Sequence, residues 1–141
     1  MTAYEISIDD HPSEADINTL IHNLVSYNDT QVEVENWQRL AIFIRDGRGE
    51  MFGGLCGYTH WGWLFISHLW VTESIRGQNY GKELVNRAER QAAKRGCHHA
   101  YLDTYDFQAL GFYQKLGYEV FGSLGDFPTG HTRYFLKKHL L

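Results

Sequence analysis

The segment that most limits how this chain can fold runs from Leu69 to Lys82 and reads Leu-Trp-Val-Thr-Glu-Ser-Ile-Arg-Gly-Gln-Asn-Tyr-Gly-Lys. An apolar strand runs into a short polar turn rich in glycine and amides, and a helix opens directly from that turn. Such a junction gathers several backbone N–H groups around one point. It also sets the positive end of a helix dipole there, about half an elementary charge. The combination binds a phosphate or pyrophosphate without needing a side chain. Arg76 adds a guanidinium, the side chain best shaped for phosphate oxygens. A phosphorylated cofactor is the expected ligand.

Spacing excludes two glycine-rich loops. A P-loop needs Gly-x-x-x-x-Gly-Lys-Ser/Thr, but Glu83 follows Gly81-Lys82 and Arg76 stands where the first glycine would be. A dinucleotide fingerprint needs Gly-x-Gly-x-x-Gly, which Gly77 and Gly81 do not match. What remains is Arg76-x-x-Asn79-x-Gly81. The helix that follows is amphipathic, with Leu84, Val85, Ala88 and Ala92 on one face and mostly charged residues on the other. Gly96 ends it. A strand is expected from His98 to Thr104. Asp106 then caps a second helix, in which Ala109, Phe112, Tyr113 and Leu116 share a face and Gly117 is the stop.

Upstream, Tyr4 to Ile8 reads as a short strand. Pro12 and Ser13 open a helix whose apolar face is Ile17, Leu20, Ile21, Leu24 and Val25. Strands follow at Leu40 to Arg45, Met51 to Thr59 and Trp63 to Val71. The first two are joined by the hairpin turn Asp46-Gly47-Arg48-Gly49, the last two near Trp61-Gly62. Phe121 to Gly125 ends a strand, and Thr132 to Lys137 forms the last. Three meandering strands, then alternating helix and strand, imply a mixed α/β sheet in a single domain over residues 1–141.

The 141 residues are 43% hydrophobic and 15% aromatic, which argues for a packed core. A net charge of −4 gives no support for nucleic acid as a partner and suits a cationic or amine substrate. No apolar run approaches a membrane span, and Met1 to Glu5 lacks the features of a secretory leader. Cys56 and Cys97 are too few for a disulfide scaffold. Both read as buried, reduced thiols, so a cytoplasmic location is expected.

The Arg76-x-x-Asn79-x-Gly81 loop resembles the Gln/Arg-x-x-Gly-x-Gly/Ala loop of the GCN5-related N-acetyltransferase superfamily, which holds the pyrophosphate of coenzyme A. Asn79 stands where that family has glycine; Asn is one of the few other residues that tolerate a left-handed backbone. The segment from Asp106 to Tyr118 is similar to the family's Asn-x-x-Ala-x-x-Phe-Tyr-x-Lys-x-Gly-Phe string, with Asp106 in the Asn position. The resemblance covers Leu64 to roughly Leu136. It implies a mostly antiparallel central sheet, flanked by helices and splayed between its fourth and fifth strands, with acetyl-CoA in the gap. A homodimer is implied by analogy only.

The reaction implied by the resemblance is acetyl transfer from acetyl-CoA to an amine, here a small molecule. Tyr113 matches the tyrosine that commonly serves as general acid and is the expected proton donor to the thiolate; without the motif it would read as a core aromatic on a helix face. A backbone N–H of Leu69, Trp70 or Val71 would serve the thioester oxygen, and the same strand would pair with the pantetheine amides. Arg76, Gly77, Gln78, Asn79, Tyr80, Gly81 and Lys82 would surround the pyrophosphate. Tyr80 could instead pack, and Lys82 could simply be solvated. A cofactor contact is also implied at Asp106, with a carboxylate in place of the amide.

The amine must lose a proton before it attacks. His68 has a suitable intrinsic pKa, yet strand alternation groups it with Ile66 and Trp70, away from Phe65 and Ser67. The resemblance implies that the site lies on the Phe65 and Ser67 face, and a bulge, which the resemblance implies is common at this place, would shift the register and turn His68 to it. A water chain to Glu33, Glu35 or Asp103 serves equally. His131 lines the acceptor cleft or sits in a surface loop, and Trp37, Trp61 and Trp63 wall the cleft or simply pack. His98 and His99 point to opposite faces of a strand, so no metal site is expected. Other readings stand beside this one: a protein or peptide amine as acceptor, a non-catalytic acyl-CoA sensor, and a nucleotide-phosphate binder.

Overall fold

A computed structural model describes residues 3–141, and the chain divides into two compact units, Met1–Glu35 and Asn36–Leu141. In the first unit, helix α1 spans Glu14–Asp29. It starts where Pro12-Ser13 predicts. Ser13 is extended, and its Oγ accepts the Asp16 N–H, satisfying one of the orphan donors of a first turn. The strand expected at Tyr4 to Ile8 does not form. Its alternation is right for a strand, but no neighbouring chain pairs with it, and an extended segment without a ladder is not a strand.

The second unit is built from β1 (Gln38–Arg45), β2 (Met51–His60), β3 (Trp63–Val71), α2 (Tyr80–Lys94), β4 (His99–Tyr105), α3 (Leu110–Lys115), β5 (Glu119–Gly125) and β6 (Thr132–His139). The strands form one sheet in the order β1-β2-β3-β4-β6-β5. All neighbours are antiparallel except β3 and β4. A parallel pair needs a crossover, and α2 supplies it. Leu84, Val85, Ala88 and Ala92 of α2 are buried in one core with Leu64, Ile66, Ala100, Leu102 and Leu136 of the sheet.

Both helices of this unit stop as their glycines predict. Gly96 (φ 85°) donates to Ala93 O, and Cys97 donates to Ala92 O. Gly117 (φ 97°) and Tyr118 repeat the pattern onto Gln114 O and Tyr113 O. These paired bonds satisfy the last carbonyls of each helix, and a left-handed glycine makes them geometrically cheap. The start of α3 is a correction. Its N-cap is Ala109, not Asp106, and the helix begins at Leu110. Residues 106–109 form a turn instead, held by the Gln108 Oε1, which accepts from the Tyr105 N–H and the Thr104 hydroxyl.

Two features of β3 position the site. Its parallel pairing with β4 is short, covering Trp63 to Ile66 against His99 to Leu102. Beyond that the two strands separate. This is the splay expected between the fourth and fifth strands of the sequence count, shifted by one because Tyr4 to Ile8 forms no strand. The second feature is a bulge: Gly57 pairs with Ile66 and Cys56 with His68, leaving Ser67 extra. One extra residue reverses the parity of everything after it. Leu64 and Ile66 face the core, and after the bulge Leu69 and Val71 do so. His68 and Trp70 are exposed.

Gly57 makes the bulge sterically possible, because a Cβ there would overlap the backbone carbonyl oxygen of Phe65. Gly57→Ala should therefore cost at least about 3 kcal/mol, read as a fall of roughly 10 °C in the thermal midpoint. An unchanged melting temperature would contradict this packing.

Candidate active site

The gap between the splayed strands is a cleft of about 820 Å³, a size typical of small-molecule and cofactor sites. One wall is the later half of β3, from Ile66 to Val71, and the opposite wall includes Asp103 and Thr104 of β4. Past Ile66, β3 keeps β2 on one side and has no strand on the other. Apart from the Val71 carbonyl, which accepts from Arg76, the backbone groups on that open edge have no strand to pair with and can bind an extended ligand. Leu69, Trp70 and Val71 all line the cleft here.

The loop closes one end. Arg76, Gly77, Asn79, Tyr80, Gly81 and Lys82 line the cleft, and Gln78 does not. Gly77 (φ 79°) and Asn79 (φ 68°) are both left-handed, so Asn79 takes the conformation that makes it an acceptable substitute for glycine. Among the described residues, none accepts a hydrogen bond from the backbone N–H groups of Gly77 to Lys82. Part of this is the ordinary deficit of a helix start, and part comes from the two left-handed residues, which turn consecutive N–H groups to one side. At Gly81 a Cβ would stand 3.3 Å from the Phe112 ring, so the loop and α3 meet closely at this point. The Arg76 Nε donates to the Val71 carbonyl at 2.9 Å. That bond ties the guanidinium to the end of β3 and leaves its terminal nitrogens for an anion. Unpaired N–H groups, a helix N-terminus and a tethered guanidinium fit a pyrophosphate.

Tyr113 stands on the far wall, on α3. It is only 7% exposed, but it lines the cleft. Burial pushes its pKa up to about 12, helped by the nearby Asp103 carboxylate. The phenol therefore stays protonated at neutral pH and can donate. Asp103 is itself committed, accepting from Arg133 at 2.8 Å. The Arg133 guanidinium lies over the rings of Tyr105, Phe127 and Phe135, which fixes it further.

The bulge carries a polar cluster. His68 and Ser67 line the cleft, with the His68 Nδ1 2.9 Å from the Ser67 Oγ. The Ser67 hydroxyl donates to the Cys56 carbonyl at 3.0 Å. The Cys56 Sγ is 3.5 Å from both the Ser67 Oγ and the His68 Nδ1. Cys56 is thus half-buried beside polar groups, not in the apolar setting expected of it. Cys97 is buried as expected, and burial pushes its thiol pKa up.

Asp106 does not line the cleft. One of its oxygens accepts the Thr132 N–H at 2.9 Å and the other meets the His131 Nδ1 at 2.8 Å. The Thr132 N–H, with the His131 ring, holds this carboxyl below the usual carboxylate range. Asp106 is therefore a clamp on the start of β6. His131 in turn meets Phe107 edge-on at 5.1 Å, and Phe107 lines the cleft. Trp37, Trp61 and Trp63 are not cleft-lining residues. Trp63 stacks on His99 and Trp37 tilts onto Tyr58, forming part of an aromatic face of the sheet. Phe107 and Phe112 were not foreseen as site residues, and Ser67 was expected on the site face by alternation alone. Strand alternation carries no mark of the bulge that brings His68 in, and the two phenylalanines read equally well as core.

This arrangement matches a known class of enzymes. The chain belongs to the GNAT acetyltransferase family, whose model matches residues 3–118. It is an acetyltransferase of that family. It is 45% identical over 101 residues to the blasticidin-S acetyltransferase of Streptomyces morookaense, covering 71% of this chain and 74% of that protein. It is 39% identical over 115 residues to an acetyltransferase of Agrobacterium fabrum, covering 82% and 84%. An acetyltransferase structure from Bacillus cereus superposes with a TM-score of 0.85 at 31% identity, covering 95% of this chain and 98% of that one. The same fold is seen in an aminoglycoside 6′-N-acetyltransferase complexed with coenzyme A, with a TM-score of 0.66 at 21% identity and 98% of each chain covered.

Proposed function

We propose that the protein moves an acetyl group from acetyl-CoA to a primary amine of a small molecule, by direct attack in a ternary complex. The observation that carries this reading is the convergence on one cleft of an unpaired N–H cradle, an open strand edge and a protonated tyrosine. The likeness to a blasticidin-S acetyltransferase supports a small antibiotic-like amine as acceptor.

Acetyl-CoA supplies the activated acyl group and a thiol leaving group. Arg76, Gly77 and the residues from Asn79 to Lys82 bind its pyrophosphate, and Gln78, which does not line the cleft, links them. The open edge of β3 from Leu69 to Val71 orients the pantetheine arm and offers an N–H to the thioester oxygen. Tyr113 donates a hydrogen bond to the departing sulfur. His68 takes the amine proton. It is preferred to Asp103 because Asp103 is already held by Arg133, whereas His68 is exposed on the cleft wall.

The test is a thiol-release assay with acetyl-CoA against small amines, blasticidin S among them, and against lysine peptides, with products identified by mass. Thiol release tied to an acetylated small amine is expected. Turnover only with peptides would move the acceptor to proteins, and coenzyme A binding without turnover would favour the sensor reading.

A further inference from the structure

We propose that Ser67 is a positioning residue: it locks the neutral His68 imidazole in its Nδ1–H tautomer and keeps the Nε2 lone pair for the proton of the amine. The inference rests on the reading of His68 as proton acceptor.

The argument is a count of hydrogens. The Ser67 Oγ lies 3.0 Å from the Cys56 carbonyl oxygen. A carbonyl has no proton to give, so the hydroxyl hydrogen must point at it. The Oγ also lies 2.9 Å from the His68 Nδ1. With the hydroxyl hydrogen already used, the proton in that contact must sit on Nδ1. A neutral imidazole carries one N–H, so Nε2 holds the free lone pair. The Cys56 thiol, 3.5 Å from both atoms, suits this arrangement. It can give its hydrogen to the second lone pair of the Oγ.

The fold explains why serine can do this. Ser67 is the extra residue of the bulge, with no registered partner on β2. Its side chain is therefore free to turn back onto the Cys56 carbonyl, which belongs to the residue opposite His68. A ring nitrogen facing water would favour no such tautomer. In solution the neutral histidine side chain carries its proton mainly on Nε2, which is the wrong form for a base acting through that atom.

Nitrogen-15 NMR of the histidine side chains reads the tautomer directly, and pH profiles of kcat read its consequence. The other titratable groups near His68 are Cys56, in contact from β2, and those lining the same cleft: Asp103, Tyr113, Tyr80, Arg76 and Lys82. The wild type is expected to show His68 with a protonated Nδ1 and an unprotonated Nε2. Ser67→Ala should move the signal toward the Nε2–H form and lower kcat about 5-fold at unchanged KM for acetyl-CoA, the loss following the competent fraction. Ser67→Thr, which keeps the hydroxyl, should restore both. An Nε2–H signal in the wild type, or a tautomer indifferent to Ser67→Ala, would overturn the lock. His68→Gln separates the two ideas: full activity in that variant would sink the base reading while leaving the NMR result to judge the lock on its own.

Discussion

Tyr113→Phe should lower kcat by about 100-fold and leave the binding of acetyl-CoA nearly unchanged. The ring is buried against the core and is retained, so the fold should tolerate the change. Only the hydroxyl is lost. Its raised pKa of about 12 says what that hydroxyl can do. A thiol has a pKa near 8.5, so complete proton transfer from this phenol to a thiolate would be uphill. A phenol held protonated is instead a constant hydrogen-bond donor to a sulfur that gains charge as it leaves. Hydrogen bonds to charged groups are worth roughly 1.5–3 kcal/mol, or about 10- to 150-fold in rate. The sign of the shift also fixes the pH dependence. A raised pKa keeps the donor form throughout the ordinary alkaline assay range, so Tyr113 should produce no fall in kcat there. Equal kcat values for the variant and wild type would remove Tyr113 from the chemistry and return it to the core.

Arg76→Glu should weaken coenzyme A binding by about 100-fold, since it removes a charge-assisted contact to phosphate and adds repulsion. Calorimetry with coenzyme A measures this. Pantetheine, which lacks the pyrophosphate, is the internal control, and its affinity should not change. The stability cost should be small, because the side chain's bond to the Val71 carbonyl is exposed and such bonds contribute about 1 kcal/mol. Equal losses for coenzyme A and pantetheine would mean that the variant had damaged the end of β3, and that Arg76 is not a phosphate ligand.

The parts of this site that were legible in the sequence are those specified locally. The loop and α2 follow from short-range signals: an apolar strand end, a glycine-amide turn, a period of 3.6 and a stop at Gly96. Even the left-handed Asn79 could be read from the chemistry of one side chain. The parts that were hidden depend on distant partners. The bulge at Ser67 leaves no trace in the alternation of β3, and its clearest sign, Gly57, lies on another strand. His68 therefore looked turned away from the cleft it lines. Asp106 looked like a helix cap because its side chain suits that role. The Thr132 N–H and His131 compete for the same carboxylate, and α3 starts at Leu110 instead. Tyr4 to Ile8 has the pattern of a strand, but pattern alone does not supply a neighbour to pair with.

The most direct test of the account is a crystal structure with coenzyme A bound. The pyrophosphate should sit on the N–H groups between Gly77 and Lys82, the pantetheine arm should run along the open edge of β3, and the sulfur should lie within hydrogen-bonding reach of the Tyr113 hydroxyl. A ligand bound outside the gap between β3 and β4, or a sulfur facing away from Tyr113, would contradict it.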